Sequence, residues 1–200
     1  MNTMSKALIA ALVLGGSIST ATAAGIITEI TATDTSGGTF TSGVIGDHTL
    51  DLAKTFSSIN PISLTFTVAH ENGTGGNPYA VTEAVTNNTG QAWTDFHYSI
   101  TEPNQGNGVV FTANTQSTFG DFTLDSHGPR NLNFIGNLAA GGVADAAFNI
   151  SPFDPGAGNT STFTLTQVPT IPEPETYAML VAGLLLMGGM VKRRNNSRQG

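Results

Sequence analysis

Cysteine is absent from all 200 residues, which excludes disulfides, thiol nucleophiles, thiolate metal ligands and cysteine redox chemistry. Basic residues are scarce as well, 7 Lys and Arg against 14 Asp and Glu. Between residues 24 and 168 the only cations are Lys54 and Arg130. They face twelve carboxylates (Glu29, Asp34, Asp47, Asp51, Glu71, Glu83, Asp95, Glu102, Asp121, Asp125, Asp145, Asp154), a net charge of −10 with histidine neutral. Such a segment repels phosphate backbones and anionic lipid surfaces, so nucleic acid is not an expected partner. Tryptophan occurs once, at Trp93. The middle of the chain also lacks any apolar stripe of helical period over twelve residues, and it has no internal repeat.

What it has instead is alternation. In Ile62-Ser63-Leu64-Thr65-Phe66-Thr67-Val68 every second residue is apolar, the period of a strand with one buried and one wet face. The pattern returns at Phe96, Tyr98, Ile100 and at Ala146, Phe148, Ile150, and more briefly at Phe122, Leu124 and Phe163, Leu165. Turn residues punctuate these runs at Asn72-Gly73, Asn87-Asn88-Thr89-Gly90, Asn104-Gln105-Gly106-Asn107-Gly108 and Asp154-Pro155-Gly156. Val81–Val85 and Trp93–Ile100, separated by the Asn87–Gly90 turn, read as a hairpin. The expectation is an all-β domain over 24–168, a single antiparallel β-sandwich with one core and Greek-key connections. Leu138-Ala139-Ala140-Gly141-Gly142 followed by an alternating strand resembles immunoglobulin-like bacterial surface modules, a likeness of fold only.

The two ends are of different character. Lys6, the apolar run Ala7–Ile18 and the small-x-small triplet Ala21-Thr22-Ala23 read as a secretory signal over 1–23, cut before Ala24; the implied partners are the Sec translocon and signal peptidase. Near the other end, Pro169, Pro172 and Pro174 suggest a stiff spacer over 169–175. Fifteen uncharged residues follow, from Tyr177 to Val191, about 22 Å of helix against a hydrocarbon core of about 30 Å. Lys192, Arg193 and Arg194 close the run and, by the positive-inside rule, keep 195–200 cytoplasmic, which makes 176–194 a short transmembrane segment. The prolines disfavour helix and present Glu173 on an extended, accessible stretch.

Pro172-Glu173-Pro174, then an apolar helix, then Lys192-Arg193-Arg194 resembles the PEP-CTERM sorting signal of Gram-negative envelope proteins, a segment also labelled the ice-binding protein C-terminal domain. The likeness covers about Ile171 to Arg194, an eighth of the chain. It implies recognition of Pro172, Glu173 and Pro174 by a membrane-embedded exosortase, transient anchoring in the inner membrane, and a final place at the cell surface or in a polysaccharide biofilm matrix. The alternative is a plain C-terminal anchor that is retained.

Chemistry-bearing residues in the middle are few. Asp95 and His97 sit two apart on an expected strand, as do Asp125 and His127. No Gly-x-Ser-x-Gly elbow, His-Glu-x-x-His motif or phosphate-cradling loop accompanies them, so no catalytic residue is assigned and the chain reads as a non-enzyme. Asp121 and Asp125 lack the acidic loop that Ca²⁺ requires, and neither a metal nor any other cofactor is expected. Trp93, placed by strict alternation on the face of Asp95 and His97, is a candidate stacking platform for extracellular polysaccharide, against the commoner role of an inter-sheet plug. A structural or adhesive matrix component is thus the leading expectation, with a carbohydrate-binding module second and a secreted hydrolase or ice-binding protein behind.

Overall fold

The computed structural model describes residues 25–71, 78–102, 108–112, 117–171 and 179–187. The signal segment with Ala21, Ala23 and Ala24, the sorting motif Pro172, Glu173 and Pro174, and the stop residues Lys192, Arg193 and Arg194 lie outside the described residues.

Twelve strands are described: β1 (Ile26–Asp34), β2 (Gly38–Ile45), β3 (Thr49–Phe56), β4 (Ile62–Ala69), β5 (Tyr79–Asn87), β6 (Trp93–Thr101), β7 (Val110–Phe111), β8 (Thr118–Phe119), β9 (Thr123–His127), β10 (Asn131–Leu138), β11 (Val143–Ser151) and β12 (Thr160–Thr170). They form two sheets, in the orders β1-β4-β12-β6-β10-β9 and β2-β3-β5-β11-β7, with β8 also paired to β11. The all-β reading therefore holds. The alternation in β4 does what its period dictates: Ile62, Leu64, Phe66 and Val68 are fully buried, while Thr65 and Thr67 remain partly exposed.

One core lies between the sheets, and aromatic rings stitch it. Phe56 of β3 meets Trp93 and Phe96 of β6 edge-on at 5.5 and 5.7 Å. Phe96 stacks on Phe119 of β8 at 4.3 Å, and Tyr98 packs on Phe148 of β11 at 4.9 Å. Burying each such side chain contributes about 1.5–3 kcal/mol, and favourable ring geometry adds about 0.5–1.5 kcal/mol.

Several expectations need correction. The domain is not antiparallel throughout, because β3 and β5 run parallel from Thr49↔Ala80 to Phe56↔Asn87. Val81–Val85 and Trp93–Ile100 are not a hairpin, since β5 and β6 belong to different sheets. Asn87 explains the difference. Its fully buried amide donates toward the carbonyls of Gln91, Leu138 and Ala139 at 2.8–3.1 Å and accepts from Thr89, so the turn arches the chain across the core. Pro169 and Thr170, expected as spacer, belong to a strand: β12 runs on beside β6, matching Val168 to His97, Pro169 to Phe96 and Thr170 to Asp95, with Pro169 buried.

Residues 179–187 are helical, and Met179, Leu180, Val181, Leu184, Leu185, Leu186 and Met187 are all exposed. Among the described residues no helix is long and apolar enough to cross a membrane.

Candidate functional site

The most regular polar surface among the described residues is the outer face of the β1-β4-β12-β6-β10-β9 sheet. Strand pairing sets its side chains in rows. Thr31, Thr65, Thr164 and Thr101 form one row across β1, β4, β12 and β6. Ser63, Thr166, Ser99 and Asn131 form the next, and Thr67 with Thr162 the one on the other side. Neighbouring rows lie two residues apart along the strands, about 7 Å, and neighbouring strands about 4.8 Å apart. The hydroxyls bond one another across strands: Thr33 to Thr65 at 3.1 Å, Thr65 to Thr164 at 3.0 Å and Ser63 to Thr166 at 2.9 Å. A hydroxyl used once in this way keeps capacity for a further partner.

The lattice continues into a relay of side chains. His97 Nδ1 lies 2.9 Å from Asn133 Oδ1, and Asn133 Nδ2 donates to Ser126 Oγ at 2.6 Å. Because Asn133 presents its oxygen to the ring, Nδ1 carries the hydrogen there. Asp95 stands in the same face, opposite Ile135 on one side and Thr170 on the other.

Trp93 is not on this face. A register shift between Ile135 and Leu138 sets Leu138 opposite Trp93, and the strand's alternation slips, so Trp93 and Phe96, three apart, are both fully buried. The indole N–H donates to Thr89 Oγ1 at 3.2 Å, and the ring is tilted against Phe96 at 5.6 Å. The expected exposed platform is instead an inter-sheet plug. Asp125 and His127 are not brought together on one face either: a shift in β9 leaves Asp125 unmatched, Ser126 opposite Asn133, and His127 opposite buried Leu132 with its Nε2 buried and without a hydrogen-bond partner. Among the described residues no three His, Asp or Glu side chains gather closely enough to hold a metal ion.

A second polar constellation lies inside the core. Lys54 Nζ meets Glu83 Oε1 at 2.5 Å, both side chains fully buried. Tyr98 Oη donates to Glu83 Oε2 at 3.0 Å and Gln167 Nε2 to Oε1 at 3.1 Å. Lys54 and Glu83 come from one sheet, Tyr98 and Gln167 from the other. Burial pushes the Lys54 amine below its ordinary value against the pull of Glu83. Burial, then the Glu83 charge, pushes the Tyr98 phenol well above its own. Net charge does not reveal this cluster, but the alternation contains it: Leu50-x-Leu52-x-Lys54-x-Phe56, Val81-x-Glu83-x-Val85 and Phe163-x-Leu165-x-Gln167 each place a polar residue at an inward position.

Arg130 is similarly committed, its Nη2 at 2.8 Å from the buried Glu102 carboxylate, which also accepts from the Val109 N–H at 2.6 Å. Both cations of the domain thus neutralise buried carboxylates, and the remaining carboxylates give the exterior a negative field. Beyond the outer face there are a shallow depression lined by Asp51, Thr82, Thr118 and Asp145, and a largely apolar groove by Val110, Phe111, His127 and Pro129. In the first, the Thr82 hydroxyl donates to Asp51 Oδ1. Searches against protein-family models, curated proteins and solved structures return no match to this chain.

Proposed function

We propose that this chain is an exported cell-envelope protein whose two-sheet domain, immunoglobulin-like in architecture with a connectivity of its own, serves as a structural and adhesive component of extracellular polysaccharide. The observation that carries the reading is the hydroxyl and amide lattice on the outer face of the β1-β4-β12-β6-β10-β9 sheet. It offers a regular array of donors and acceptors to a hydroxyl-rich polymer. The acidic exterior selects against polyanions, so the fitting ligand class is a neutral polysaccharide. Absence of cysteine is compatible with export, because a core of this size needs no disulfide.

Export and sorting belong to the same proposal. The signal segment, the Pro172-Glu173-Pro174 motif and the basic Lys192-Arg193-Arg194 end supply the address, and the Sec translocon, signal peptidase and an exosortase would read it. The helix over 179–187, with apolar side chains exposed on all sides, suits a lipid surround better than water. The proposal assigns no residue a catalytic role, and places His97, engaged by Asn133, in the polar lattice. The test is recovery from the native cell surface: the account expects material lacking residues 1–23 and the basic end, co-purifying with matrix polysaccharide. Full-length chain in the cytosol overturns the proposal.

A further inference from the structure

The cluster between the sheets supports an inference independent of what the outer face binds. Lys54 Nζ and Gln167 Nε2 approach the same atom, Glu83 Oε1, from opposite sheets, at 2.5 and 3.1 Å. All three residues are sealed from water, with exposures of 1, 0 and 3 % for Lys54, Gln167 and Glu83. Gln167 Oε1 has no hydrogen-bond partner. In an apolar surround an ammonium and a carboxylate at this distance are costly as two full charges, and passing one proton from Nζ to Glu83 leaves a neutral amine beside a neutral acid. Burial lowers the Lys54 amine from its ordinary value, which favours its neutral form. A neutral amine is a nucleophile, the neighbouring primary amide is its electrophile, and the carboxyl between them can carry protons.

We propose that Lys54 and Gln167 are joined by an intramolecular isopeptide bond, formed with Glu83 as the proton carrier. Rotation of the Gln167 amide brings its carbonyl oxygen to the protonated Glu83, which polarises the carbon. Lys54 Nζ attacks Cδ, the Cδ–Nε2 bond breaks, and a new Nζ–Cδ amide forms. Of the three ammonium protons, one stays on the new amide and two leave with the amide nitrogen as ammonium, Glu83 having carried them across. Atoms and charge balance without an oxidant or cofactor. Tyr98, donating to Glu83 Oε2, is a positioning residue that holds the carboxyl between amine and amide. The bond would tie β3 to β12 and close a loop of about 110 residues, a covalent staple in a domain that has no disulfide.

Peptide mass spectrometry of the folded full chain tests this, and trimming of the ends does not enter. The expected result is a branched peptide joining the Lys54 and Gln167 segments, lighter by one ammonia than the two separate peptides. Glu83→Gln should give unbranched peptides at full mass, with a melting temperature lower by on the order of 10 °C. Unmodified Lys54 and Gln167 peptides from folded wild-type protein overturn the proposal. A branch at any other pair does the same, and a branch that persists in Glu83→Gln removes Glu83 from its role.

Discussion

On β12, Thr164 and Thr166 point outward from their sheet while Gln167 points into the core, and the two sides treat polarity in opposite ways. Outside, a hydroxyl that loses its neighbour finds water, so the lattice of Thr and Ser tolerates change one residue at a time. Inside, Lys54, Glu83, Tyr98 and Gln167 have only one another. Removing one member strands the rest in a medium where an unpaired charge is expensive. The comparison teaches that the inner set specifies how the sheets register on each other, whereas the outer set is a surface free to serve a ligand.

The hardest way to break that contrast is at its charged centre. Glu83→Leu should destabilise the domain by about 3–5 kcal/mol, read by denaturant unfolding, because the Lys54 amine is left buried without its partner. Adding Lys54→Met to the same chain should recover part of the loss. Trp93→Ala tests the plug on the apolar side of the same core: a loss of about 3–5 kcal/mol is expected, with any change in polysaccharide retention following unfolding rather than preceding it. A smaller effect should come from acid. The N–H of Gly156, and next His70, hold the Asp154 carboxyl below its usual range, and the Ser36 N–H does the same for Asp34. Carboxylates depressed in the folded state contribute stability that is complete above the ordinary carboxylate range and is lost as pH falls through it to the lower folded values. Unfolding titrations between neutral and strongly acidic pH should show that decline, shallower in Asp154→Asn. Thr164→Val on the outer face should be the mildest, within about 0.5 kcal/mol of wild type.

How much of this was legible in the sequence depends on whether local pattern or long-range pairing decides. The strands around Ile62–Val68, Phe96–Ile100 and Ala146–Ile150 follow from period two alone, because burial of one face is a local bias that the tertiary fold does not oppose. The connection after β5 was misread because Asn-Asn-Thr-Gly is good turn chemistry for either a hairpin or an arch. What decides is the burial of the Asn87 amide under carbonyls of Leu138 and Ala139, about fifty residues away. Trp93 was misplaced for a related reason, since one slipped register turns a side chain to the opposite face and no residue near Trp93 announces it. Pro169 looked like spacer because proline cannot donate to a ladder, yet a single proline near a strand's end is tolerated. The inner polar cluster is present in the alternation, since Lys54, Glu83 and Gln167 each occupy an inward position, but a net-charge count alone does not reveal it.

The outer face is the surface proposed to bind polysaccharide, and retention on the organism's own matrix polysaccharide tests that proposal most directly. A paired variant, Thr65→Arg with Thr164→Arg, covers the centre of the lattice with long side chains while leaving the core untouched. The account predicts that wild-type protein is retained and that the variant, still folded by circular dichroism, elutes with loss of at least tenfold in affinity, about 1.4 kcal/mol. Equal retention of the two folded proteins would contradict it.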